Sequence, residues 1–168
     1  RSFVSAKQPD NRHYFYWLNH HGQLYCIDED TEKMPFGPVH LKEKRFLNFF
    51  FRNLRDNKSE HYTEDFPFLS LCGRESNFLK VDDKPIVFHD MKTKGSDDVL
   101  VYGGDLEEQF QPTELCVSEE SRIYHPAKLG GYGLIGSNFA LELSKDIEFV
   151  DDTFVFNWKG QEITLKHI

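Results

Sequence analysis

Cysteine is scarce in this chain of 168 residues. The three thiols, Cys26, Cys72 and Cys116, are far apart, odd in number and in no Cys-x-x-Cys spacing. That pattern argues against a disulfide framework and a structural zinc site, and fits a reducing interior compartment. No apolar run approaches the ~20 residues that span a bilayer. Positive charge is in deficit, Lys+Arg 20 against Asp+Glu 28, for a net charge of -8. Such a field repels a phosphate backbone and disfavours nucleic acid unless basic side chains cluster. The densest cluster is Lys42, Lys44, Arg45, Arg52, Arg55 and Lys58. A helix face from Lys42 to Arg55 is therefore the one expected place for an anionic partner, the alternative being an ordinary solvated face. Metal-ligand spacing is missing too, despite eight histidines. His20 and His21 are adjacent and in a strand would point to opposite faces. Neither a metal nor a cofactor is expected. The glycine-rich pieces Tyr102-Gly-Gly-Asp105 and Leu129-Gly-Gly-Tyr-Gly133 match no Walker or dinucleotide fingerprint, so they read as turns and bulges.

Aromatic residues are abundant. They make up 15% of the chain, and 16 of them are Phe. Each ring brings ~150–250 Å² of buriable area, so a core can form without metals or disulfides.

Tyr14–Leu18, a turn Asn19-His-His-Gly22 and Gln23–Asp28 read as a β-hairpin. Phe154–Trp158, Lys159-Gly160 and Gln161–Leu165 read as a second one at the other end. A loop with Pro35, Gly37 and Pro38 runs from Glu29 to His40. Leu41–Leu54 is the main helix candidate, because Phe46, Leu47, Phe50 and Leu54 form one apolar stripe. Phe49 and Phe51 widen it, which predicts cover on more than one side. Short strand-like runs follow at Phe66–Leu71, Asn77–Val81, Ile86–Asp90, Val99–Tyr102 and Arg122–Tyr124. In Leu134–Val150 the alternation of Phe139, Leu141 and Leu143 with polar or small residues predicts a strand. A helix over Asn138–Lys145 is the alternative, on propensity. The expected architecture is α+β: a mainly antiparallel sheet with hairpins at both ends and one main amphipathic helix packed on it. Residues 1–11 are expected as a flexible N-terminal segment and 12–168 as a single domain.

Three places carry candidate chemistry. In Ser70–Asn77, Cys72 is a candidate nucleophile or redox thiol with Arg74 lowering its pKa and binding an anion. The other reading is a β-turn through Cys72-Gly73, with Arg74 and Glu75 facing solvent. His125, held extended by Pro126, is a candidate general base; the other reading is a hydrogen-bonded corner histidine. His89-Asp90 is a third contributor, with Asp90 a candidate catalytic residue able to orient an imidazole. Candidate ligand-binding residues are Arg74, Glu75, Asn77, Tyr124 and His89.

Tyr14-Phe-Tyr with His21-Gly-Gln-Leu24, Phe46–Asn57, Phe66–Leu79, Asp83–Phe88, Tyr102-Gly-Gly104, Arg122–Pro126, Gly130–Leu134 and Glu142-Leu-Ser144 occur in order. Together they resemble an uncharacterised family of unknown function. That family includes the human chromosome-eight open-reading-frame mitochondrial protein and bacterial relatives. The resemblance runs from about Arg12 to Leu165. It implies a mitochondrial matrix location and makes Arg1 look like the start after a trimmed presequence. It singles out Cys72 among the thiols and supplies no activity. Leu71 stands where the family pattern has Pro, and the Met34–Leu41 linker is longer than usual.

Three functions follow as expectations. The first is a non-catalytic protein-interaction module, an accessory or assembly component of a larger mitochondrial complex, since surplus aromatics serve as interface anchors. The second is a hydrolase or acyl-transfer enzyme using Cys72 with His125 as base and Arg74 as anion holder. The third is a small anionic-ligand domain with Arg74, Asn77 and Tyr124 lining its pocket.

Overall fold

The computed structural model describes residues 12–28 and 37–168. The expected flexible segment 1–11 and positions 29–36 of the Pro-containing loop lie outside the described residues. In chain order the elements are β1 (Arg12–Leu18), β2 (Leu24–Ile27), β3 (Val39–Leu41), helix α1 (Lys44–Arg52), β4 (Leu54–Asp56), β5 (Phe68–Cys72) and β6 (Glu75–Val81). Then come β7 (Val87–Phe88), β8 (Asp90–Lys94), β9 (Asp97–Tyr102), β10 (Leu106–Gln109), a 3-10 turn at Pro112–Glu114, β11 (Cys116–Val117) and β12 (Ile123–Pro126). The chain continues through β13 (Tyr132–Ile135), helix α2 (Ser137–Ser144), β14 (Ile147–Val150), β15 (Thr153–Trp158), β16 (Gln161–Thr164) and β17 (Lys166–His167).

The strands form a six-stranded sheet β3-β2-β1-β6-β5-β4, a five-stranded sheet β17-β11-β12-β13-β7, and the three-stranded sheets β10-β9-β8 and β14-β15-β16. The α+β, strand-rich class read from the sequence is the class observed. Most pairings are antiparallel, but β1 runs parallel to β6, β13 to β7 and β11 to β17.

β1 is aromatic on both faces because both faces of its sheet are covered. Tyr16 and Leu18 join the main core, whereas Phe15 packs with Ile27, Phe66, Leu69 and Phe78 in a second cluster behind the sheet. The main core draws residues from all four sheets, among them Leu79, Phe88, Leu100, Tyr102, Leu134, Phe156 and Ile163. Both predicted terminal hairpins form, β1 with β2 and β15 with β16. The first turn is held by Asn19, whose Oδ1 accepts the N–H groups of His21 and Gln23, each at 3.0 Å. His20 and His21 thus sit in that turn rather than in a strand, their ring centroids 4.2 Å apart.

α1 is shorter than the amphipathic stretch predicted. Leu41 and Leu54 belong to flanking strands, and the Glu43 carboxylate caps the helix by accepting from the N–H groups of Arg45 (3.2 Å) and Phe46 (2.6 Å). Cover on two sides is observed. Phe50 meets Tyr16 of the six-stranded sheet, while Phe51 lies against Gly103 in the β9–β10 turn.

The strand expected through Phe139–Leu143 is a helix. Only Phe139 and Leu143 are buried, at i and i+4, and Leu141 is exposed. One side of a helix satisfies the apolar pattern as well as a strand does, and the Ala, Leu and Glu residues favour the helix. The run Ile86–Asp90 also divides. β7 pairs with β13 and β8 with β9, with His89 between them.

The expected basic helix face breaks up as well. Arg55 lies in β4, opposite Leu69 and on the side of the sheet away from α1, and Lys58 follows it. Lys44 on the helix faces Asp105 at 3.8 Å. No continuous cationic track runs from Lys42 to Arg55.

Candidate functional site

β5 and β6 join through the two-residue loop Gly73-Arg74, with Cys72 opposite Glu75. Glycine in the first loop position suits such a tight hairpin. Cys72 is half-buried, and its thiol has no hydrogen-bond partner among the described residues. Arg74 is exposed at the tip, and its carbonyl accepts the Arg12 N–H at 3.0 Å. Period-two alternation puts Cys72, Glu75 and Asn77 on the α1 side of the sheet. Asn77 is buried, and its Nδ2 donates to the Ser70 carbonyl at 3.1 Å. Ser70 in turn donates its hydroxyl to the Phe50 carbonyl of α1 at 2.8 Å. Buried polar groups here tie helix to sheet.

His125 lies in a different sheet, with no exposed surface. Its Nε2 accepts the Gln111 N–H at 2.9 Å, which leaves the proton on Nδ1 to donate to the Pro126 carbonyl at 2.8 Å. The ring stacks on Phe110, centroids 5.7 Å apart, and meets the edge or face of Phe88 at 5.6 Å. Burial lowers its pKa against the opposing pull of the Pro126 carbonyl and Glu114. With both nitrogens taken by the main chain, His125 has none to offer a thiol. The Cys72–His125 pair expected as nucleophile and base is not formed. Opposite His125, Gly133 leaves room for Phe88: a Cβ there would lie 2.5 Å from the Phe88 ring.

Asp90, expected as a catalytic residue, orients no imidazole among the described residues. Its exposed carboxylate accepts the Met91 N–H at 2.8 Å, whereas His89 donates from Nε2 to the Gly103 carbonyl at 2.9 Å. Tyr124 does not reach Arg74 or Asn77 either. Its hydroxyl donates to Asp83 Oδ2 at 2.7 Å, and Arg122 donates to the same oxygen at 2.7 Å. The expected pocket of Arg74, Asn77 and Tyr124 is therefore dispersed over two sheets. Asp83 was legible only as part of the motif Asp83–Phe88.

The Tyr124 phenol is pushed up to about 12, first by burial and then by Asp83. The native state keeps this proton where the unfolded chain, ionising near 10.0, loses it. Its contribution to stability is whole below that value and vanishes as the pH rises through about 12. Asp83→Asn is expected to move the Tyr124 midpoint down in an ultraviolet titration, while burial keeps it above an ordinary tyrosine. The loss of both charged hydrogen bonds, half-screened at Arg122, is expected to cost about 2 kcal/mol in urea unfolding.

Sequence reasoning missed one surface. β14 is the end strand of its sheet and pairs only with β15 among the described residues. Phe149 is 63% and Val150 44% exposed on it. The alternation in Ile147-Glu-Phe-Val150 was the available signal. It was submerged in the long segment read as one strand.

The fold is similar to that of a DUF1285 family protein from Silicibacter pomeroyi DSS-3, at TM-score 0.53 and 14% identity, over 90% of this chain and 79% of that one. A DUF1285 family protein from Shewanella baltica OS155 matches at TM-score 0.49 and 14% identity, over 82% of this chain and 95% of that one. At such identity the first likeness speaks for the fold alone. Residues 5–168 match the family model described as a domain of unknown function (DUF4505), and the chain belongs to that family.

Proposed function

We propose that this domain acts by binding rather than by covalent catalysis, as an accessory or assembly component of a larger complex in the mitochondrial matrix. The edge of β14 that no strand of the described residues pairs, with Phe149 and Val150 exposed on it, carries the reading. An open strand edge offers main-chain donors and acceptors to an extended segment of a partner, and the two side chains add apolar area. Glu148, Asp151 and Asp152 flank that edge, so the fitting segment carries basic side chains. The matrix location rests on the resemblance to the family with a human mitochondrial member. The alternative, an enzyme pairing Cys72 with His125, loses its base, since both imidazole nitrogens are engaged by main-chain groups.

The test is native-size chromatography of tagged protein from mitochondrial extract, with a Phe149→Lys/Val150→Lys variant beside it. The wild-type chain is expected in a species larger than the monomer. The variant is expected at monomer size with its melting temperature unchanged. A wild-type chain found only as monomer, or a variant that stays in the larger species, defeats the reading.

A further inference from the structure

A cleft of about 650 Å³ opens on the side of the six-stranded sheet facing away from α1. Register explains its composition. Arg55 opposes Leu69, Leu69 opposes Phe78, Leu71 opposes Ser76, and Ser76 opposes His13. Side chains paired this way share one face, so residues distant in sequence meet there. The floor is apolar, made by Leu69, Leu71 and Phe78. The rim is polar, with the cations Arg55 and Lys58, the Asp56 carboxylate, and the imidazoles of His13 and His61, whose centroids are 5.6 Å apart.

Three observations point to a ligand. Neither Arg55 nor Lys58 has a carboxylate within ion-pair distance among the described residues, although Asp56 also lines the rim, so both charges are free to meet an anion in the cleft. Ser76 is only 7% exposed, yet its hydroxyl has no hydrogen-bond partner in the described chain, and it lines the cleft. That oxygen is still open to the cleft, where a ligand oxygen can accept its proton. The volume, finally, lies within the ~300–1,000 Å³ typical of small-molecule sites.

We infer that this cleft binds a small molecule with one anionic head, carboxylate or phosphate, on an apolar body. The guanidinium of Arg55 is suited to two parallel hydrogen bonds to such a head, Lys58 adds a point charge, and Ser76 donates a further hydrogen bond. The body lies on Leu69, Leu71 and Phe78. Two isolated cations in a chain of net charge -8 make no track for a nucleic-acid backbone. The inference stands apart from the β14 surface, which belongs to another sheet.

Calorimetry and thermal shift on the intact chain test it with octanoate, phenyl phosphate, inorganic phosphate and octanol. Saturable binding at one site is expected for octanoate, phenyl phosphate or both, and which of them binds names the head. Inorganic phosphate and octanol should each bind about tenfold more weakly or worse, because each lacks half of the ligand. Arg55→Ala and Lys58→Ala are each expected to weaken binding about tenfold or more, with the melting temperature of the free protein unchanged. The Phe149→Lys/Val150→Lys variant should bind as the wild type does, and the Arg55 and Lys58 variants should keep any larger assembly. No saturable binding of octanoate or phenyl phosphate up to about 10 mM would overturn the inference. So would binding that survives both cation variants.

Discussion

His125→Ala is expected to lower stability by about 4 kcal/mol and the melting temperature by about 10 °C. The imidazole has no exposed surface, so its removal opens a hole between Phe88 and Phe110. It also deprives the Gln111 N–H and the Pro126 carbonyl of their partners. The cost combines a cavity of the kind left by aromatic truncation with two broken hydrogen bonds. His125→Phe separates the contributions. It fills the space but cannot serve either main-chain group, and it is expected to cost about 2 kcal/mol. Urea unfolding of the three proteins measures this directly. A loss below about 1 kcal/mol in His125→Ala would mean that the ring does not hold the Gln111 and Pro126 main chain to the core.

The same residue sets a pH window. Burial holds the native His125 pKa below the ordinary 6.5. Its contribution is whole above that value. As the pH falls below it, the unfolded chain takes a proton that the native chain refuses, and stability drops until the lowered native pKa is passed. One such group gives a slope of at most ~1.4 kcal/mol per pH unit. The slope below pH 6.5 is therefore expected to be flatter in His125→Phe than in the wild type, and an unchanged slope would assign the acid sensitivity elsewhere.

Local features of the sequence translated well into structure. The Tyr14–Asp28 and Phe154–Leu165 hairpins, the Phe50 face of α1 and the Cys72-Gly73 turn depend on neighbours along the chain, where turn chemistry and periodicity act. Long-range pairing was not legible. Nothing in Arg12–Leu18 announces that its parallel neighbour is Glu75–Val81, since that choice is made by burying both faces of β1. The same gap hid the candidate cleft. Arg55, Leu71, Ser76 and His13 become one surface only after the register is known. His125 and Cys72 failed as a pair for the opposite reason. Each had chemistry that suited a site, yet the imidazole is consumed by main-chain groups contributed by Gln111 and Pro126. The motif around His125 is thus a packing motif. It meets Gly133 across the β12–β13 register, and the two motifs belong to one contact.

Gly104→Ala is the second large effect, and it bears on the motif Tyr102-Gly-Gly104. The β9–β10 turn presses on the first turns of α1. A Cβ at Gly104 would lie 2.6 Å from the Lys44 carbonyl oxygen, 2.7 Å from Asn48 Oδ1 and 2.8 Å from Lys44 Cγ. The Lys44 side chain can swing aside, but its carbonyl is helix backbone and cannot. Asn48 is no freer. Its Oδ1 accepts the Asp105 N–H at 2.8 Å while its Nδ2 donates to the Asp105 carboxylate at 2.6 Å. One added methyl must therefore push the helix from the turn or break both bonds between Asn48 and Asp105. Overpacking of this kind costs about 1–3 kcal/mol, and the two lost bonds add about 1 kcal/mol each if Asn48 gives way. An overall loss of about 3 kcal/mol is expected in urea unfolding. Asn48→Ala supplies the discriminating control. It removes one side chain in the way of the new methyl and leaves the Lys44 carbonyl, so Gly104→Ala added to it should still cost about 1 kcal/mol or more. If the second substitution were free in that background, the clash would lie with Asn48 alone. The glycine would then serve the side-chain bridge rather than the approach of the helix backbone.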